Sequence, residues 1–252
     1  MMIFRALWRF LLLLLHTLYG VWLSLTIHKR RAPDGVEFPD PRPVARWSAR
    51  LLEILGVEVK IHGKIPEDTG LVVANHVSWL DIPVLNSLTG AAFLSKNSIR
   101  YWPVIGWFAV ASGTLFIRRG NHEARRISDA IATRLREGRR MAIFPEGTTS
   151  DGREVRRFFP RLFGAAIDAG APVIPVALCY VADGKRDSLV PYTRGRSFLR
   201  ILFGILARKR SEVHVCFSGV IPSGELDRRG LADASRQAIV DALETFSNTG
   251  GA

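Results

Sequence analysis

The chain has 252 residues, enough for one large α/β domain with a well-filled core rather than two small ones. A net charge of +12 draws the surface to polyanions, either nucleic acid or an anionic membrane, while 48% hydrophobic residues and a mean hydropathy of +0.12 point to apolar surface that belongs in lipid. The two cysteines, Cys179 and Cys216, stand alone in apolar runs with no paired Cys or Cys/His spacing, which argues against a zinc site or a disulfide scaffold and makes a reducing compartment the default.

Taken in chain order, residues 10–27 (FLLLLLHTLYGVWLSLTI) come first and are nearly all apolar. A run of this length just suffices for a bilayer span. Trp22 stands where a cleaved signal would have small residues, so the segment reads as a retained N-terminal membrane helix, either spanning or lying in the plane. A buried helix of a soluble protein is the alternative, and such helices rarely stay apolar on every face. Arg5, Arg9 and residues 29–31 flank the run and are expected to rest on an anionic lipid surface. Residues 32–43 hold four prolines and predict a connector without helix or strand. Residues 44–55 then predict an amphipathic helix, with Val44, Trp47, Leu51, Leu52 and Leu55 on one face and Arg46 and Arg50 on another.

From Gly56 onward, short β-rich runs appear at 57–62, 71–74, 91–95, 114–117, 141–144, 173–178 and 213–217. Helical patterns lie at 121–137, with Ala124, Ile127, Ile131 and Leu135 in phase, and at 231–246, with Ile239, Ala242, Leu243 and Phe246 in phase. This alternation predicts an α/β fold: a mixed, largely parallel sheet of about seven strands flanked by helices. The chain divides into an N-terminal hydrophobic anchor (1–31), a proline-rich connector with an amphipathic helix (32–55) and the main domain (56–252), whose last residues, 247–252, are expected to fray.

Four segments carry candidate chemistry. Residues 75–83 (NHVSWLDIP) follow the apolar run 71–74, and polar residues at such a strand end sit where open α/β sheets place their sites. His76 and Asp81 can face each other there, the imidazole taking a proton and the carboxylate holding the ring. The bland alternative is a capping Asp81 and a loop His76. Residues 144–150 (FPEGTTS) make a tight turn rich in N–H donors that suits an oxyanion or phosphate, or an ordinary strand-to-loop turn. Residues 113–119 (GTLFIRR) end in two arginines whose forked donors fit a phosphate, or simply a solvated basic face. Residues 173–178 (VIPVAL) read as core, with Pro175 at an edge or irregularity.

Together and in this order, the four segments resemble the signature blocks NHxSxxD, GxxFIxR, FPEGTxS and VIPV of the 1-acylglycerol-3-phosphate (lysophosphatidic acid) acyltransferase family. The resemblance implies that His76 is the general base and Asp81 its orienting carboxylate. It also implies that Arg119 contacts the acceptor's phosphate, that Glu146, Gly147 and Thr148 form the acceptor-binding turn, and that Lys96 faces the phosphate. Two departures touch the acceptor side. Thr149 stands where the family commonly has arginine, and Arg161 is the nearest counterpart of a lysine usually found in a Phe-Lys-x-Gly run.

The implied activity moves a fatty acyl group from acyl-CoA or acyl carrier protein onto 1-acylglycerol-3-phosphate, giving phosphatidic acid. Another lysolipid such as lyso-ornithine lipid is the alternative acceptor. No Gly-x-Ser-x-Gly elbow or other nucleophile is evident, so the hydroxyl attacks the thioester directly, with no metal or cofactor. The implied location is the bacterial cytoplasmic membrane, with the catalytic domain on the cytoplasmic side and an anionic lipid surface as partner. A basic nucleic-acid-binding protein fits the charge, but no recognised binding motif supports it. A catalytically dead scaffold conflicts with the intact His76 and Asp81.

Overall fold

The computed structural model describes residues 2–31, 37–118 and 121–249. Helix α1 (Met2–Thr26) is followed by a small antiparallel ribbon of β1 (Lys29–Arg31) and β2 (Glu37–Pro39), and then by α2 (Pro41–Leu55). The connector expected over 32–43 is therefore shorter than its prolines suggest. Asp40 accepts a hydrogen bond from the Arg42 N–H at 3.0 Å, and Pro41 and Pro43 fall in the first turn of α2, where a missing N–H leaves no bond unmade. Residues 32–36 of that connector lie outside the described residues.

The remaining elements are β3 (Val57–His62), β4 (Leu71–Ala74), α3 (Asp81–Thr89), β5 (Ala92–Lys96), α4 (Ile105–Ala111), β6 (Leu115–Ile117), α5 (Asn121–Arg136), β7 (Met141–Ile143), α6 (Gly164–Ala169), β8 (Val173–Ala182), β9 (Lys185–Arg186), α7 (Phe198–Ala207), β10 (Ser211–Phe217) and α8 (Arg228–Thr249). Helix α8 runs through residues expected to fray, and only 250–252 fall outside the description. The main sheet has the order β3-β10-β8-β4-β7-β5-β6, with β9 hairpinned onto β8. Strands β8, β4, β7, β5 and β6 run parallel, and β10 pairs antiparallel to β8 and parallel to β3. The mixed, largely parallel sheet flanked by helices is thus the one the sequence pattern predicts.

Period-two alternation splits the core in two. Val72, Ala74, Val176 and Leu178 meet α2, α3 and α7 on one face, whereas Leu71, Val73, Val173 and Ala177 meet α5, α6 and α8 on the other. Strand β4 is buried on both faces, as a central parallel strand must be, which is why it reads as a continuous apolar run. Pro175 sits in the central strand β8, opposite Val73. Its carbonyl accepts from Ser218 just past the end of β10, so its missing N–H falls at a level where the ladder to β10 has already ended.

Helix α1 docks against α2, α4 and α7, and its polarity is reversed. His16, Gly20 and Ser24, four residues apart, form its buried stripe, while Phe4, Leu7, Trp8, Leu11, Leu15, Leu18, Trp22 and Leu25 are exposed. The His16 ring donates from Nε2 to the Trp47 carbonyl at 3.0 Å and stacks on the Trp47 indole, which donates back to the His16 carbonyl at 3.2 Å. Trp107 donates to Ser24 Oγ at 2.8 Å. Arg9, expected to face anionic lipid, instead donates to the carbonyls of Arg208 at 2.7 Å and Lys209 at 3.1 Å, closing the C-terminal end of α7. Carbonyls left without partners at a helix end attract a nearby cation, which accounts for the inward turn of this side chain.

Candidate active site

The parallel strands all end on one edge of the sheet, and the ends of β4, β5 and β7 each deliver a candidate residue. His76 follows β4, Lys96 closes β5, and Glu146 follows β7. Arg118 follows β6, and Arg119 lies outside the described residues. Sequence-distant motifs meet here because parallel strands with helical crossovers put every strand-to-helix turn on the same side.

The centre of the site is the turn between β4 and α3. Asn75 brackets β8 with a pair of bonds, donating to the Leu178 carbonyl at 3.0 Å and accepting from the Leu178 N–H at 2.8 Å. That clamp fixes where the next residue leaves the sheet. Asp81, the first residue of α3, is fully buried and accepts four hydrogen bonds. Its Oδ2 takes the N–H groups of Val77 at 2.7 Å and Ser78 at 2.9 Å, together with His76 Nδ1 at 2.7 Å. Its Oδ1 takes the Tyr180 hydroxyl at 2.7 Å. An oxygen that already accepts two backbone N–H groups acts as an acceptor toward the ring as well, so Nδ1 is the donor and Nε2 carries the lone pair. The ring of His76 stacks on Phe144 at 3.9 Å and 11°, which fixes its plane. His76 keeps 19% of its side chain exposed, and Nε2 has no hydrogen-bond partner among the described residues. The pair therefore presents one oriented imidazole able to take a proton at Nε2, backed by a buried carboxylate that stabilises the resulting cation.

Glu146 is placed differently from an acceptor-binding group. It is buried, and its two oxygens accept the backbone N–H of His76 at 2.8 Å and of Arg156 at 3.1 Å. Burial pushes its carboxyl above the usual range, against those two donors. It therefore ties the 75–81 turn to the 144–156 segment. The Ser150 N–H adds a second tie, donating to the His76 carbonyl at 2.7 Å. Gly147 adopts φ 68°, and a Cβ there would stand 3.2 Å from the Phe159 ring, so both the turn and the ring require glycine. Gly147 and Thr148 are exposed at the mouth of the site. Lys96 is exposed at the end of β5, and Arg161 is exposed in the short turn Pro160–Phe163. Thr149 is half-buried, and its hydroxyl donates to the Tyr192 carbonyl, while the Tyr192 N–H donates to the Val77 carbonyl at 2.9 Å. The segment between β9 and α7 is thereby strapped across both loops. Asp187 and Arg196 brace it through the Leu189 N–H and the Pro191 carbonyl.

Tyr180 escapes a reading of the sequence, because in the run VIPVALCYVA it looks like one more core residue of β8. The available signal is its parity. Tyr180 shares a face with Leu178 and Val176, the face on which α3 and Asp81 lie.

The acyltransferase family model matches residues 56–179 of this chain. The lyso-ornithine lipid O-acyltransferase of Pseudomonas aeruginosa is 43% identical over 225 residues, covering 89% of this chain and 86% of the relative. The 1-acyl-sn-glycerol-3-phosphate acyltransferase of Neisseria meningitidis is 33% identical over 226 residues, covering 87% and 88%. The crystal structure of the 1-acyl-sn-glycerophosphate acyltransferase of Thermotoga maritima superposes with a TM-score of 0.70 at 19% identity, covering 97% of this chain and 95% of that one, so the fold is shared. With relatives of 43% and 33% identity along most of its length and the family model matching residues 56–179, the chain belongs to the acyltransferase family that includes the 1-acyl-sn-glycerol-3-phosphate and lyso-ornithine lipid O-acyltransferases.

Proposed function

We propose that this enzyme transfers a fatty acyl group from a thioester of coenzyme A or acyl carrier protein to the free hydroxyl of lyso-ornithine lipid. The observation that carries the reaction is the His76–Asp81 pair, with Nδ1 held at 2.7 Å and Nε2 left open. Nε2 takes the hydroxyl proton as the oxygen attacks the thioester carbonyl, forming a new C–O bond and a tetrahedral oxyanion. The oxyanion collapses, the C–S bond breaks, and the departing thiolate recovers the proton from the imidazolium. Asp81 stabilises the imidazolium through both stages and is not itself consumed. Each step uses only these side chains and the two substrates.

Two features support the acceptor. Relatives named lyso-ornithine lipid O-acyltransferase, from Pseudomonas aeruginosa at 43% and Brucella abortus at 36% identity, cover 89% and 86% of this chain. Thr149 also spends its hydroxyl on the Tyr192 carbonyl, so this position offers no forked donor for a phosphate. Ornithine carries a carboxylate and no phosphate. The guanidinium of Arg119 suits that carboxylate as a bidentate partner, and Lys96 and Arg161 are further cations that the resemblance assigns to the acceptor. Gly147 and Thr148 line the mouth through which the acceptor enters. The second reading is 1-acylglycerol-3-phosphate as acceptor and phosphatidic acid as product, favoured by the Neisseria relative and by the order of the four blocks.

The same proposal locates the enzyme on the cytoplasmic membrane, with its catalytic domain on the cytoplasmic side. Helix α1 is long and apolar enough to cross a bilayer, and its exposed face is apolar along its whole length. The test is acyl transfer by the purified protein in detergent, with lyso-ornithine lipid and 1-acylglycerol-3-phosphate as acceptors and both thioesters as donors. Lyso-ornithine lipid is expected to give the higher kcat/KM. A clear preference for 1-acylglycerol-3-phosphate would replace the first acceptor by the second, and transfer to neither would overturn both.

A further inference from the structure

We propose that Tyr180 is a positioning residue of the acyl transfer, one that sets the basicity of His76 through the far oxygen of Asp81. The phenol never meets the substrate. It lies on β8 behind the carboxylate, fully enclosed, and donates its hydroxyl proton to Asp81 Oδ1 at 2.7 Å. The two carboxylate oxygens thus divide their duties. Oδ2 faces the ring and two backbone N–H groups, while Oδ1 has Tyr180 as its one hydrogen-bond partner among the described residues.

The electrostatic argument follows from that division. A donor on Oδ1 draws negative charge away from Oδ2 and so weakens the hold of the carboxylate on an imidazolium. Without that donor, the carboxylate pulls harder on the imidazolium, and the free His76 keeps its proton to higher pH. A general base works only when deprotonated, so the acid limb of kcat/KM against pH should move up. The phenol remains a donor throughout, because burial and the adjoining carboxylate of Asp81 raise its own ionisation well above the ordinary tyrosine range. Other charged groups face this cluster. Glu146 binds the backbone N–H of His76, and Asp187 lies near Tyr180 and is neutralised by Arg208. Arg156 meets Glu146 through its backbone N–H. The neighbouring Cys179 points to the opposite face of the sheet. Of these groups only Tyr180 hydrogen-bonds both to the same carboxylate as His76 and from the side away from the substrate.

The inference rests on His76 acting as the base, and the experiment separates the two. The pH profile of kcat/KM is measured for the full-length enzyme in detergent, for Tyr180→Phe, and for enzyme carrying 3-fluorotyrosine at position 180. Fluorination makes the phenol a stronger donor at nearly the same size, so it also serves if the phenylalanine variant does not fold. The acid limb is expected to move up by ~0.5 unit or more in Tyr180→Phe and down in the fluorotyrosine enzyme. The acceptor KM should change little in either. A limb present in the wild type and unmoved in the fluorotyrosine enzyme would overturn the Tyr180 assignment alone, even if Tyr180→Phe were slow. A wild-type profile without an acid limb would overturn the role of His76 and this inference with it.

Discussion

The two loops that meet over the sheet edge are built to different standards. In the 75–81 turn nearly every polar atom is accounted for: Asn75 is clamped to Leu178, Asp81 accepts four donors, and the His76 ring is held at its edge by Asp81 and on its face by Phe144. The facing 144–161 segment contributes Glu146 to that same framework, then opens out. Gly147, Thr148 and Arg161 stand in solvent. The base cannot shift without breaking several buried bonds, whereas an exposed position such as Thr148 can change with less disturbance to the fold. One loop holds the imidazole in place, and the other carries the exposed positions Gly147, Thr148 and Arg161.

Substitutions on the two sides should therefore fail in different ways. His76→Ala is expected to lower kcat by ~10²–10⁴-fold with the protein still folded, and Asp81→Asn should be similarly severe, because an amide nitrogen would face N–H donors. Near wild-type turnover by a folded His76→Ala enzyme would end the comparison outright. On the acceptor side, Arg119→Ala should raise the acceptor KM by ~10–100-fold and leave the donor KM nearly unchanged, as for one lost charge-assisted bond, with Arg119→Lys recovering only part of it. Equal effects on both substrates would show that Arg119 is not an acceptor contact.

Glu146 sharpens the comparison, since it belongs to the open segment by position and to the closed turn by its bonds. Glu146→Gln would set an amide nitrogen against the N–H of either His76 or Arg156. It should lower unfolding stability by ~1–3 kcal/mol, read from a denaturant midpoint, and reduce kcat for every acceptor alike. A selective effect on one lysolipid would return Glu146 to the acceptor site. The smallest effect is expected from Thr149→Val, which removes the hydroxyl bond to the Tyr192 carbonyl. A stability loss of ~1 kcal/mol and a modest change in acceptor preference should follow.

Much of this was legible in the sequence, for identifiable reasons. The runs 57–62 and 71–74 match β3 and β4 residue for residue, because turn-forming residues bound them and short apolar runs have few other uses. The contact between His76 and Asp81 was legible because they are five residues apart and meet within one turn, while their roles came from the resemblance of the four ordered blocks. What escaped depends on distant partners. Tyr180 meets Asp81 across 99 residues of chain, and Arg9 finds its carbonyls in α7 across 199. Helix α7 went unread as well, since its apolar core is short and Arg196, Arg208 and Lys209 flank it. The orientation of Glu146 was equally unreadable, because local spacing does not say whether a turn side chain points outward or back at the neighbouring loop.

The reversed stripe of α1 has a consequence for how hydropathy should be read. Within its apolar run, the small and polar positions His16, Gly20 and Ser24 are the ones that fasten it, and Gly20 has no room to become anything larger: a Cβ would lie 2.6 Å from the Trp47 indole nitrogen and 2.9 Å from the Phe108 ring. Making this helix more lipophilic at those positions would unseat it. Phe10 meets Phe203 of α7, and Phe198 of α7 in turn packs on Trp79 beside the base, so ring contacts run unbroken from the helix to the catalytic turn. When the outer face of α1 rests in a bilayer, the depth and tilt of His76 are set together with it. The protein then works like a plane held against a board, with the blade at a constant height and the lipid brought past it.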